Sequence, residues 1–201
     1  MTAADTAARP LQPSTGEIAS PIKLAHIVLR TSRFQEMLRW YSTALNAGTA
    51  YADDGIAFLC YDDEHHRIAF INIPGLTEQP AGAAGVHHIA FTYESLHQLL
   101  DNHARLIEQG IEPVWCVNHG PTTSMYYADP DGNQLEFQVD NYDTVEEAGK
   151  FMFTEAFATN PIGVDFDPDD LRARLAAGED EASVKLRPAS GPRGVESIPL
   201  R

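Results

Sequence analysis

The sequence predicts an α+β fold of two paired strand-helix-three-strand modules followed by a C-terminal helical extension, and three observations lead there. The segment L-A-H-I-V-L-R-T beginning at Leu24 recurs as V-H-H-I-A-F-T-Y beginning at Val86. Each copy is followed by a stretch with apolar residues at helical spacing and then by three short strand-like runs. Between them, P-G-L-T-E-Q-P-A-G-A-A-G from Pro74 to Gly85 is rich in turn residues and has no apolar period. A chain of 201 residues buries one proper core and leaves length for terminal arms. The expected organisation is therefore an arm over 1–20, a two-module domain over 21–141 and an extension with a tail over 142–201. Module 1 covers about 22–73 and module 2 about 85–140.

In chain order, the first strand carries Leu24, His26 and Val28 on one face. A helix follows with Phe34, Met37, Leu38, Tyr41 and Leu45 as its apolar stripe, then strands near 47–51, 56–61 and 67–73. The second module opens with Val86, His88 and Ala90 on one face. Its helix carries Leu96, Leu99, Leu100, His103, Leu106 and Ile107 and closes near Gly110, with strands near 112–117, 123–128 and 134–140. Asp129-Pro130-Asp131-Gly132-Asn133 is the tight turn between the last two. Beyond them, Val145, Ala148, Phe151, Met152 and Ala156 predict one helix within 144–157. Asp167 and Pro168 predict the start of another, ending near Gly178, and the Ser, Pro, Gly and charge content from Glu179 predicts an irregular or mobile arm.

A net charge of −15 without a clustered basic stripe argues against nucleic acid and anionic membranes as partners. Cys60 and Cys116 each lie in an apolar run, which fits two reduced thiols. With neither a secretory leader pattern nor an apolar stretch of spanning length, a cytoplasmic protein is expected.

The chemistry concentrates in V-N-H-G-P-T-T-S-M-Y-Y-A-D-P-D-G-N-Q-L-E, from Val117 to Glu136. Glu136 lies inside a strand between Leu135 and Phe137, where a carboxylate is costly unless it meets solvent or a cation. A lone histidine in a strand is more often a hydrogen-bonded core residue. Here, however, aligning the modules superposes His26 on His88. Two imidazoles and one carboxylate with open positions make the set suited to non-haem Fe(II). His87 and His88 point to opposite faces, so only one can serve, and His88 is the one that matches His26.

The run from His119 to Glu136 closely resembles the signature of type I extradiol catechol dioxygenases: a histidine, five residues, an apolar residue before tyrosine, then Asp-Pro-x-Gly and a glutamate. The segments E-H-H-R-I-A-F from Glu64 and V-H-H-I-A-F from Val86 are similar to elements of the same family, within the vicinal oxygen chelate superfamily. The resemblance covers about 22–141 and matches the smaller, one-domain branch. It implies a curved, cup-like mixed sheet around a metal site, with His26, His88 and Glu136 as ligands to Fe(II), Mn(II) being the other metal weighed. It implies His66 as the acid-base residue, with His119 and Tyr126 as hydrogen-bonding partners of the substrate oxygens; His65, His97 and His103 receive no chemistry. The implied reaction is extradiol cleavage of catechol, alkylcatechols or 2,3-dihydroxybiphenyl-type substrates with dioxygen, in a homo-oligomer. Gly120, Pro121 and Thr122 stand where larger members often carry asparagine and aspartate, so substrate-side contacts differ.

Two other classes compete. A glyoxalase-like isomerase or lyase would need a further ligand on the last strand of module 1, where only Asn72 is a weak substitute. A non-enzymatic small-molecule binder of the same fold would need no such ligand set.

Overall fold

The structure, a computed structural model, describes residues 19–80 and 82–199. Most of the expected arm over 1–20 therefore lies outside the described residues. The first module runs β1 (Ile27–Thr31), α1 (Phe34–Ala44), β2 (Gly48–Ala52), β3 (Ile56–Cys60) and β4 (Ile68–Asn72). These strands form one sheet in the order β1-β4-β3-β2, with β1 parallel to β4 and the other pairs antiparallel. The second module repeats the pattern as β5 (His88–Tyr93), α2 (Leu96–Glu108), β6 (Trp115–Asn118), β7 (Thr122–Ala128) and β8 (Gln134–Asp140). Its sheet is ordered β5-β8-β7-β6-β9, where β9 (Val164–Asp165) comes from the C-terminal extension.

The α+β class and the two modules are as expected, but hydrogen bonding divides the strands into two sheets rather than one. Strands β1 and β5 are both sheet edges. They flank a cleft of about 230 Å3 that His26 and Ile27 share with Ile89 and Ala90.

One hydrophobic core joins the modules. Phe34, Met37 and Tyr41 of α1 pack in the same cluster as Leu96, Leu99 and Leu106 of α2 and Leu135 and Phe137 of β8. The helical ones fall at i, i+3, i+7 in α1 and i, i+3, i+10 in α2, so the 3.6-residue period of the sequence appears as the buried stripe. Helix α2 is capped by Ser95, which accepts from the Gln98 N–H at 3.3 Å. It closes at Gly110, whose φ of 73° lets the Ile111 N–H reach back to the Leu106 carbonyl at 2.9 Å. His103, read from the sequence as part of the stripe of α2, is buried there, and burial pushes its imidazole below the usual value.

The turn before β8 ties the modules together. Asp129, only 5 % exposed, accepts from the N–H groups of Asp131 (2.9 Å) and Asn133 (2.8 Å), from Asn133 Nδ2 (2.7 Å), and from the Tyr41 hydroxyl of α1 (3.0 Å). Burial raises its carboxyl above the ordinary value, and these donors oppose that shift. Asp129→Ala removes the shared acceptor, and leaving such buried donors unmet costs about 1–3 kcal/mol. The urea midpoint should fall accordingly with an unchanged slope; an unmoved midpoint would show that the turn does not fasten α1.

The extension is α3 (Val145–Phe151), α4 (Glu155–Thr159), β9, α5 (Pro168–Ala176), α6 (Glu181–Lys185) and a 3-10 turn at Val195–Ser197. The single helix expected within 144–157 is broken, because Thr154 turns its hydroxyl to the Phe151 carbonyl (2.7 Å) and caps α4 by accepting from the Phe157 N–H (3.2 Å). Asp167 caps α5 with Pro168 in its first turn, as its sequence indicates. From Glu179 onward, the expected irregular or mobile arm instead contains α6 and packs on the second sheet. Arg187 donates to the carbonyls of His119 (3.1 Å) and Asn160 (2.8 Å), and Arg193 pairs with Asp165 at 2.7 Å.

Candidate active site

Register across the second sheet places Ala90, Glu136, Tyr126 and Trp115 opposite one another on successive strands, so they share one face. His88 lies two residues before Ala90 and joins that face. Its Nε2 stands 3.0 Å from Glu136 Oε2, and His119 Nε2 is 4.0 Å from Oε1 of the same carboxylate. Glu136 is 5 % exposed. Burial alone would raise its pKa, but hydrogen bonds from His88 and Ser124 and the nearby imidazoles hold it below the ordinary carboxylate value.

His119 is held from both sides. The Ile162 carbonyl, which can only accept, meets Nδ1, so that nitrogen carries the proton and the Nε2 lone pair faces the Tyr126 hydroxyl at 3.0 Å. Burial lowers the His119 pKa, against the opposing pull of the Ile162 carbonyl and Glu136. Burial, with the Glu136 charge beside it, raises that of Tyr126. At neutral pH the pair is therefore a neutral imidazole beside a protonated phenol.

Trp115 stacks on Tyr126 with centroids 5.0 Å apart and an interplanar angle of 27°. Its indole N–H donates to Asp165 at 2.8 Å, and the Arg193 guanidinium lies 5.7 Å from the ring centroid. Sequence reasoning gave Trp115 no role. Counting residues back from Tyr126 across the turn at 119–121 would have set it opposite the tyrosine. The contributions of Ile162, Asp165, Arg187 and Arg193 had no local signal.

The other two predicted residues stand together on the first module. His26 immediately precedes β1, and its ring lies 4.4 Å from that of His66, which also stacks on Phe58 at 4.7 Å. Arg67 fixes this arrangement: its guanidinium donates to the Leu24 (2.7 Å) and Ala25 (2.9 Å) carbonyls. The His66 pKa is lowered by desolvation and by its neighbours His26 and His65. His66 precedes β4 by two residues rather than beginning it. His87 and His65 are exposed. Asn72 donates its Nδ2 to the Asp54 carbonyl at 2.9 Å, a local tie unlike that of a metal ligand.

His88, His119, Tyr126 and Glu136 thus meet on one face of the second sheet, and His26 meets His66 on the first module. Among the described residues, no group of three or more His, Cys, Asp or Glu side chains is placed to hold one metal ion. The donor chemistry of the set suits a divalent metal, and the His88–Glu136 pair supplies two of the three expected ligands at contact distance. His26 lines the cleft between β1 and β5 with Ala90, the register partner of Glu136.

Known proteins share this sequence and fold. The family model described as "Glyoxalase/Bleomycin resistance protein/Dioxygenase superfamily" matches residues 23–137. Biphenyl-2,3-diol 1,2-dioxygenase 2 of Rhodococcus globerulus is 46% identical over 157 residues, covering 78% of this chain and 83% of that protein. Biphenyl-2,3-diol 1,2-dioxygenase 3 of the same organism is 41% identical, covering 82% and 88%. Among solved structures, the fosfomycin resistance protein FosX of Listeria monocytogenes, complexed with Mn(II) and sulfate, aligns with a TM-score of 0.51 and 21% identity. It covers 66% of this chain and 98% of that one, a likeness of fold. The chain belongs to the glyoxalase, bleomycin resistance protein and dioxygenase superfamily, on its extradiol dioxygenase branch. No described helix is long and apolar enough to cross a membrane.

Proposed function

We propose that this enzyme opens the ring of biphenyl-2,3-diol-type catechols beside their hydroxyl pair, using dioxygen and Fe(II) held by His26, His88 and Glu136. The observation that carries the reading is the buried Glu136 carboxylate joined to His88, with a protonated tyrosine and a neutral histidine beside it. Relatives named for this chemistry at 46% and 41% identity support it. Bound Fe(II) supplies the one-electron chemistry that lets a catechol react with dioxygen.

The chain's own groups handle protons and position. A catechol hydroxyl would replace the Tyr126 hydroxyl at the Nε2 lone pair of His119, the one acceptor of that ring, since Nδ1 is committed to the Ile162 carbonyl. Tyr126 keeps its proton and donates to the catechol oxygen, its ring fixed by Trp115. His66, neutral because it is desolvated beside two other histidines, first takes and then returns a proton on the dioxygen side. The stacked rings of Trp115 and Tyr126 favour a flat apolar substrate.

After anaerobic loading with Fe(II), the enzyme should consume one dioxygen per biphenyl-2,3-diol or catechol, with the biphenyl diol turned over at the higher kcat/KM. An iron-loaded enzyme that consumes no oxygen with any catechol would overturn the reading.

A further inference from the structure

We propose that the protein carries a second small-molecule site, on the helix side of the second sheet, which binds a small aromatic monocarboxylate. This site is separate from the one described above and does not rest on the function proposed for it.

A cavity of about 480 Å3 lies between the end of α1, the strand β5 and the helix α2. Phe91 and Tyr93 of β5 line it, and both rings pack on Phe137, with centroids 6.0 and 5.9 Å away. Phe137 follows Glu136 in β8, so the two side chains leave opposite faces of the sheet. The cavity therefore lies behind the face that carries His88, Tyr126 and Glu136. Its size suits a ligand of one ring with a short substituent.

The polar groups lining it are donors in excess. Half-buried Arg105 gives its Nη2 to Asn102 Oδ1 and to the Ala44 carbonyl (3.4 Å), while its Nε and Nη1 meet no acceptor among the described residues. In a chain of net charge −15 it makes no ion pair with a described residue. Asp101, the one carboxylate of the lining, is exposed and lies 3.9 Å from Arg172 instead. Asn102 is 8 % exposed, and because a guanidinium can only donate, the Asn102 oxygen faces Arg105. Its Nδ2 is left buried without a partner among the described residues. Few buried donors stay unmet in native proteins without a use. The Tyr93 hydroxyl also meets no acceptor among the described residues, and burial raises its pKa to about 12, so it keeps its proton as a third donor.

This set selects the ligand. A planar guanidinium with two free donors matches a carboxylate, and a carboxylate on Arg105 brings an acceptor beside the Asn102 amide. A second negative charge would meet Asp101, which disfavours dicarboxylates and phosphates. The body of the ligand faces Tyr61 and Phe91, which meet edge to face with centroids 5.8 Å apart, and Leu45. Such a wall favours a flat apolar ring.

The test is binding of benzoate to the full, metal-free chain by titration calorimetry, with benzamide as its uncharged counterpart. The parent should bind one benzoate per chain, and benzamide at least about ten-fold more weakly. Arg105→Met should weaken benzoate by about ten- to a hundred-fold and erase the preference over benzamide. Tyr93→Phe keeps the ring and loses only the hydroxyl, so it should weaken benzoate by about two- to ten-fold. Tyr126→Phe, on the other face, should bind as the parent does. Absence of saturable benzoate binding, equal binding of benzoate and benzamide, or parental affinity in Arg105→Met overturns the proposal. Loss of binding in Tyr126→Phe also overturns it, by placing benzoate beside His88 and Glu136. Should Arg105→Met fail to fold, the benzamide comparison in the parent and Tyr93→Phe still decide.

Discussion

Glu136→Ala is expected to yield a folded protein with less than about a tenth of the parent's iron and ring cleavage reduced by at least about a thousand-fold. Partners that merely orient a ligand are each worth about ten- to a hundred-fold in metal affinity or activity, and removing a ligand with its charge exceeds that. Because Glu136 lies outside the hydrophobic cluster that joins the modules, its removal should leave the fold intact. His88→Ala should lose iron in the same way, whereas His87→Ala, which removes only an exposed partner 2.8 Å from His88 Nδ1, should retain it. Iron per chain, measured after loading and gel filtration, decides this. Full iron in Glu136→Ala or His88→Ala would remove both from the ligand set.

The second large effect separates proton transfer from metal binding. His66→Phe keeps a flat ring between Phe58 and His26, so packing and iron should survive. What it loses is a neutral imidazole able to take and return a proton, a contribution on the order of a hundred- to ten-thousand-fold in rate. The fall should be in kcat, with catechol affinity under anaerobic conditions close to the parent's. Loss of iron would make His66 a ligand, and a parental rate through to product would leave it a packing residue.

Much of this was legible because strands and helices impose short periods. Two-residue alternation is enough to group His88 with Ala90 and Glu136 with Gln134, each pair on one face of its strand, and the repeat identifies His26 as the counterpart of His88. The turn at Asp129 and the cap at Asp167 followed from side chains that satisfy nearby backbone donors. The unread parts are all non-local. Nothing in the pattern of Val164 and Asp165 says that they pair with β6, and nothing near Arg187 says that it reaches the His119 carbonyl. The extension helix broke at Thr154 because a side-chain cap outweighed an apolar period that ran across it. Alternation also sets which face a histidine occupies but not how two edge strands meet.

The central claim is that these residues direct dioxygen to the bond beside the hydroxyl pair. The most direct measurement is the product of one turnover of biphenyl-2,3-diol under isotopically labelled dioxygen, analysed by mass spectrometry together with its visible spectrum. The account predicts a yellow ring-opened dienoate in which both atoms of one dioxygen molecule are incorporated at adjacent ring carbons, one of them outside the diol pair. A colourless dicarboxylic muconate, cut between the hydroxyls, or a product carrying no label, would contradict it.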